Sequence, residues 1–203
     1  MKIIGVGRNY VAHIAELKNE KPDAPVVFLK PDTALLRQNA PFYYPDYSKD
    51  IHFECELVLR INREGKHIKP EFAFKYCQEI GLGIDFTARD LQEKAKEKRL
   101  PWAISKGFDG SAPVSQFVPL SNFADNKNIG FHLLVNGQKR QEGNTSQMIW
   151  SFAEIISYVS TFFTLKVGDM IFTGTPAGVG PVQIGDRLEG FIETKKFLDF
   201  EVK

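Results

Sequence analysis

Cysteine is scarce in this 203-residue chain, which carries only Cys55 and Cys77. Two cysteines set no disulfide framework, and their default role is that of free thiols or small core residues in a reducing compartment. Long apolar runs are missing too. No window approaches the ~18 residues needed to span a bilayer. The N-terminal stretch MKIIGVGRNY holds one lysine and five apolar residues in a row, too few for the core of a secretion signal. A cytoplasmic protein without membrane attachment is the expectation. An excess of one charge is also lacking, since 26 Lys and Arg face 25 Asp and Glu. That balance leaves no basic surplus to neutralise phosphates, so nucleic acid is not an expected partner. There is no internal repeat, low-complexity tract or Ser/Gly linker. A hydrophobic content of 43% excludes disorder. The length fits a single domain over residues 1–203.

What is present reads as mostly β. Strands are expected over residues 26–29, 51–61, 80–85, 129–135, 170–173 and 187–194. Asn136-Gly137, between two strand-like runs, is a strong two-residue hairpin turn. Helical spacing occurs in three places: residues 9–18, 87–98 and 146–161. The second of these opens with a capping-box pattern, Thr87-Ala-Arg-Asp90. The expected fold is mainly β with a few peripheral helices.

The most informative stretch is Ile51-His-Phe-Glu-Cys-Glu-Leu-Val-Leu-Arg-Ile61. Its odd positions are all apolar, so His52, Glu54 and Glu56 share the opposite face of a strand. Carboxylates at i and i+2 stand about 7 Å apart at Cα, within reach of one small cation. A solvated strand face fits the same pattern. Asp85 ends the apolar run Gly81-Leu-Gly-Ile-Asp85, where a metal ligand, a catalytic group or a plain helix-start residue is equally at home. Three carboxylates without a His or Cys donor suit a hard cation, Mg²⁺ or Mn²⁺, rather than Zn²⁺.

His13 and Glu16 lie three apart on one helix face. An imidazole oriented by a carboxylate is a general-base pair, though surface pairs share that spacing. Lys30 and Lys106 stand among uncharged neighbours, open to an anionic ligand or to snorkelling. His67 and His132 have no such company and read as structural or exposed. Loop 173–181, Thr-Gly-Thr-Pro-Ala-Gly-Val-Gly-Pro, could offer N–H groups and the Thr175 hydroxyl to an oxyanion. It lacks the ending of a P-loop, and an ordinary turn explains it as well.

In order along the chain, these residues resemble the fumarylacetoacetate hydrolase family, in particular its short single-domain acylpyruvase and oxaloacetate decarboxylase branch. The likeness runs nearly end to end: Gly7-Arg-Asn-Tyr-Val-Ala-His13, Phe28-Leu-Lys-Pro31, His52-Phe-Glu-Cys-Glu-Leu57, Asp85-Phe-Thr-Ala-Arg-Asp90, Leu100-Pro-Trp102 with Lys106, Val135-Asn-Gly137, Gln141-Glu-Gly143 and Thr173-Gly-Thr-Pro176. The resemblance implies a twisted β-sandwich roll, usually a homodimer, without the N-terminal domain of longer members. It implies Mg²⁺ or Mn²⁺ held by Glu54, Glu56 and Asp85, and a His13–Glu16 dyad on a segment that closes over the site. Arg89, Gln92, Lys106 and Thr175 fall where the family contacts substrate or stabilises charge, with Lys30 in a similar place. The Lys-rich segment 17–25 matches no substrate preference.

The chemistry implied is cleavage of the C3–C4 bond of a 2,4-dioxo acid (an acylpyruvate) to pyruvate and a carboxylate. His13, held by Glu16, would take the proton of the attacking water, and Lys106 and Thr175 would meet developing negative charge. Decarboxylation of oxaloacetate would use the same electron sink, and isomerisation of enol acids of the 2-hydroxyhepta-2,4-dienedioate type would need only the proton transfers. A non-catalytic binding domain on the same fold is a further alternative, which the intact dyad and the three carboxylates argue against.

Overall fold

A computed structural model describes residues 1–17 and 20–203. Its centre is a six-stranded sheet in the order Val26–Lys30, Ile3–Gly7, Met170–Phe172, Cys55–Ile61, Cys77–Ile84 and Val118–Pro119. Within it only Ile3–Gly7 and Met170–Phe172 run parallel. Cys55–Ile61 lies in the middle, and both its faces are covered. Cys55, Leu57, Leu59 and Ile61 join the main core, whereas Val58 joins a second cluster with Ile3, Ala34, Ala112, Val114, Met170 and Phe172. A four-stranded antiparallel sheet, Gln138–Asn144, Gly130–Val135, Arg187–Ile192 and Lys195–Glu201, closes the main core. The two layers meet tightly at Gly190, where a Cβ would stand 2.6 Å from Leu82 Cδ2. The expected mainly β, sandwich-like class is what the chain adopts.

Among the described residues four α-helices lie around these sheets: α1 (Val11–Glu16), α2 (Arg89–Glu97), α3 (Ala103–Lys106) and α4 (Phe152–Phe162). The expectation for residues 9–18 runs on to Lys18, outside the described residues, while α1 itself begins only at Val11. The helix expected from residue 146 starts at Phe152 instead. Ser151 and Glu154 form its capping box, and Asn144 and Gln147 cap a separate short turn before it. The capping box expected at Thr87 is not formed. Thr87 pairs in a short strand, the helix starts at Arg89, and Asp90 accepts from Ser48 Oγ at 2.7 Å.

The single strand expected over residues 51–61 is two. Ile51–Phe53 pairs with Gly180–Pro181 and Thr87–Ala88, whereas Cys55–Ile61 belongs to the central sheet. The chain changes sheet at Glu54, which takes this residue out of the strand ladder. His52 goes with the smaller sheet, where Nε2 meets Asp50 Oδ1 at 2.9 Å. The hairpin turn stands as expected: Asn136 and Gly137 both have positive φ, 53° and 76°. Ile3–Gly7 and Lys195–Glu201 are strands the pattern does not announce. The first is short and holds two glycines, and the second opens on two lysines.

Candidate metal centre and active site

The change of sheet at Glu54 builds the site. Glu54 leaves one strand end and Glu56 follows on the next strand. Asp85 arrives just beyond the paired strand Cys77–Ile84, with its N–H donating to Glu54 O at 2.8 Å. One carboxylate oxygen from each of the three residues can be chosen so that all lie within 4.8 Å of one another. All three are buried, at 5%, 2% and 1% exposure. The solvated strand face is thereby excluded for Glu54 and Glu56.

Three cations face these acids. Lys106, at the end of α3, donates from Nζ to Glu54 Oε2 at 2.8 Å, Asp85 Oδ2 at 2.6 Å and Thr87 Oγ1 at 2.6 Å. Arg89, in the first turn of α2, reaches Glu54 Oε1 at 2.5 Å through Nη2 and Gln92 Oε1 at 2.6 Å through Nη1. Lys30 donates to the carbonyls of Phe86, Lys106 and Ser111 and to Ser111 Oγ. Its Nζ also lies 2.7 Å from Asp85 Oδ1. An ammonium has three protons, so Lys30 has none to spare for a substrate. It ties the Phe86, Lys106 and Ser111 segments together behind Asp85.

The charges shift one another in opposite directions. Burial alone would raise Glu54, but Lys106, Arg89 and His13 outweigh it and hold this carboxyl well below the usual range. Burial pushes Glu56 well above that range, reinforced by the charges of Asp85 and Glu54 and opposed by the Gly174 N–H and Lys106. Burial would lower Lys106, yet Asp85 and Glu54 raise it. Lys30 is lowered, chiefly by burial.

A divalent cation fits this set. The three carboxylates supply hard oxygen donors. Asp85 Oδ1 is buried and makes no hydrogen bond of good geometry, despite its closeness to Lys30. Glu56 is the ligand with least compensation from protein cations, so a bound cation would supply what it lacks.

The structure brings the side chains of His13 and Glu16 together. His13 is buried (6% exposed), with Nδ1 3.2 Å from Glu16 Oε2. With Nδ1 directed at Glu16, Nε2 is the ring nitrogen left for other partners. His13 is also near enough to Glu54 for its charge to act there. The other Glu16 oxygen, Oε1, accepts from Gly178 N at 2.9 Å. Loop 173–181 thus presents its N–H groups to protein carboxylates: Gly174 N donates to Glu56 Oε2 at 2.7 Å. Thr175 is buried, and its hydroxyl proton goes to Cys55 O at 2.8 Å, so in this arrangement it can only accept from a ligand. His67 is exposed and His132 stacks on Phe191 with centroids 4.7 Å apart. Neither belongs to the site.

The sequence gives several supporting residues no role at the site. Asn9, Thr87 and Gln141 stand in the quoted motifs and Ser111 in none, and all four are buried by the fold. Asn9 Nδ2, for example, joins Thr173 O at 2.8 Å to Trp150 O at 3.1 Å. The cysteines are unpaired and buried, and burial pushes the Cys77 thiol up to about 12. Among the described residues no helix is long and apolar enough to cross a membrane.

Known proteins share both fold and sequence. The chain is 44% identical over 201 residues to the mouse mitochondrial oxaloacetate tautomerase FAHD1, covering 99% of this chain and 91% of that one. It is 45% identical to a mitochondrial oxaloacetate decarboxylase of Dictyostelium discoideum, over 93% of this chain and 87% of that one. The structure of fumarylpyruvate hydrolase from Pseudomonas aeruginosa, in complex with Mn²⁺ and pyruvate, superposes with a TM-score of 0.94 and 38% identity, over 100% of this chain and 89% of that one. The family model for the fumarylacetoacetate (FAA) hydrolase C-terminal domain matches residues 2–202. With the three carboxylates and the cations around them in place, the chain belongs to the fumarylacetoacetate hydrolase family.

Proposed function

We propose that this protein is a divalent-metal-dependent enzyme for short 2-oxo acids that carry a second carbonyl or carboxyl group at C4. Oxaloacetate is the first candidate substrate and acylpyruvates are the second. The observation that carries the reading is the convergence of Glu54, Glu56 and Asp85 within 4.8 Å in one buried site. Mg²⁺ or Mn²⁺ bound there supplies Lewis-acid stabilisation for negative charge developing on the substrate oxygen at C2.

The chain's own residues account for the rest. Lys106 and Arg89 keep positive charge beside the carboxylates and favour an anionic substrate. His13, with Nδ1 committed to Glu16, exchanges a proton through Nε2. In tautomerisation that proton moves between C3 and the oxygen at C2. In decarboxylation the C3–C4 bond breaks, CO₂ leaves, and C3 takes up a proton. In hydrolysis His13 takes a proton from water, the water oxygen adds to C4, the C3–C4 bond breaks, and C3 takes up a proton. Pyruvate and a carboxylic acid are the products. The oxaloacetate reading is supported by the named activities of relatives at 44% and 45% identity, the hydrolytic one by the fumarylpyruvate hydrolase at 38%. A homodimer in the cytoplasm belongs to the same proposal, and light scattering on the purified protein tests its dimeric part.

The deciding experiment follows enol-oxaloacetate by absorbance. In parallel, a coupled assay follows pyruvate release from oxaloacetate, acetylpyruvate and fumarylpyruvate, each with Mn²⁺ and again with EDTA. EDTA-sensitive turnover is expected, fastest on oxaloacetate. Turnover indifferent to EDTA overturns the metal assignment, and turnover of an acylpyruvate alone moves the assignment to hydrolase.

A further inference from the structure

Gln141 comes from the strand Gln138–Asn144, outside the sheet that carries the carboxylates, and is buried at 1% exposure. Its carboxamide closes a ring of hydrogen bonds around the residue that separates two of the acids. Cys55 N, between Glu54 and Glu56, donates to Gln141 Oε1 at 2.9 Å. Cys55 O accepts from Thr175 Oγ1 at 2.8 Å, and Thr175 Oγ1 accepts from Gln141 Nε2 at 2.8 Å. The other Nε2 proton goes to Pro176 O at 2.9 Å.

Part of this is a local need. The chain changes sheet at Glu54, and the next N–H would be buried without a partner unless a side chain reached it. Any acceptor could meet that need. Gln141 also spends both its donors, and it spends them on the loop that gives Gly174 N to Glu56 and Gly178 N to Glu16. The same strand backs that loop directly. At Gly178, with φ +96°, a Cβ would stand 2.1 Å from Arg140 O and 3.4 Å from Gln141 Cγ.

We infer that Gln141 is a positioning residue for the active site. It sets Glu54 and Glu56 relative to each other as cation ligands and, through loop 173–181, sets Glu16 behind His13. The inference rests on reading the three carboxylates as a cation site. Outer hydrogen bonds of this kind are commonly worth roughly 10–100-fold in metal affinity.

The test is calorimetric titration of the full chain with Mn²⁺ alone, without substrate, for wild type, Gln141→Leu, Thr175→Val and the double variant. Thermal unfolding in EDTA verifies that each is folded. Gln141→Leu is expected to weaken Mn²⁺ binding about tenfold or more, and Thr175→Val comparably. The double variant should bind no worse than the weaker single one, because both open the same ring. Wild-type affinity in folded Gln141→Leu, or losses that multiply in the double variant, overturn the inference. If Gln141→Leu fails to fold, Thr175→Val decides alone, and wild-type affinity there overturns it. A wild-type protein that binds no Mn²⁺ overturns the cation reading itself, and this inference with it.

Discussion

Lys106 is locked onto Asp85, its Nζ 2.6 Å from Oδ2 with both side chains buried. The remaining two protons go to Glu54 and Thr87, so the ammonium stands among the oxygens that a divalent cation would also claim. Removing one partner of a buried ion pair typically costs about 3–5 kcal/mol. Lys106→Met is therefore expected to melt lower in EDTA, by about 2–4 °C for each kcal/mol lost. Added Mn²⁺ should then stabilise the variant more than wild type, because it restores the missing positive charge. Scanning fluorimetry with and without the ion reads both effects, and an unchanged melting temperature in EDTA contradicts them.

Glu56 gives a pH dependence with a definite sign. Its carboxyl in the folded protein is raised well above the ordinary 4.5. The folded state thus holds this proton more tightly than the unfolded state does. Stability from this group falls as pH rises from the ordinary value through the folded one. Glu54 behaves oppositely, and its contribution is lost on acidification below 4.5. Glu56→Gln keeps an acceptor for Gly174 N but removes the charge. Metal-free, the variant should melt higher than wild type at pH 8, while its stabilisation by Mn²⁺ is largely lost. A lower melting point in EDTA at that pH counts against the assignment.

The dyad separates the candidate reactions. His13→Ala should reduce hydrolysis of an acylpyruvate by about 10²–10⁴-fold, the usual worth of a general base. Decarboxylation of oxaloacetate should fall less, since bond cleavage there needs no activated water. Equal losses in the coupled pyruvate assay mean that activating water is not the main task of His13.

Gly178 links that dyad to loop 173–181. A side chain is strained at φ +96° and would meet Arg140 O at 2.1 Å. Gly178→Ala is expected to cost at least about 1–2 kcal/mol in stability and to lower kcat by releasing Glu16. In the His13→Ala background the same change should leave residual activity almost unaltered. A further full loss there places the effect of Gly178 outside the dyad.

Tyr10 is buried (2% exposed), and its hydroxyl has no hydrogen-bond partner among the described residues. Burial, and then the charges of Glu56 and Cys55, raise the pKa of its phenol. A buried hydroxyl without a partner contributes nothing to offset its desolvation. Tyr10→Phe should leave the metal-free melting temperature unchanged or raise it, and a clear decrease in thermal unfolding refutes this.

Much of the site is legible in the chain because chemistry dictates residue type. A hard cation needs carboxylates, and Glu54, Glu56 and Asp85 are acids set among apolar residues. His13 and Glu16 meet because a helical turn places i and i+3 on one face. Roles that depend on spare protons are not legible. Lys30 reads as a candidate for an anionic ligand, yet three carbonyls, a hydroxyl and Asp85 surround its ammonium. Thr87 reads as a helix cap and instead accepts from Lys106, because a neighbouring strand and Ser48 draw its partners elsewhere.

The sequence by itself determined the β-rich class, the Asn136-Gly137 turn and the alternation that separates Leu57 and Leu59 from Glu56 and Val58. Periodicity and turn chemistry are local, so a single chain displays them. The tertiary structure alone decided that the acidic side is covered too. Residues as distant as Ile3, Ala112 and Met170 pack on the Val58 side of the central sheet, and a change of sheet at Glu54 turns the acids towards Asp85. Burial converts three ordinary acids into a cation-binding set, because removing water makes each charge depend on its neighbours. That dependence is set by distances between segments as far apart in the chain as Ile3 and Met170, which no local pattern encodes.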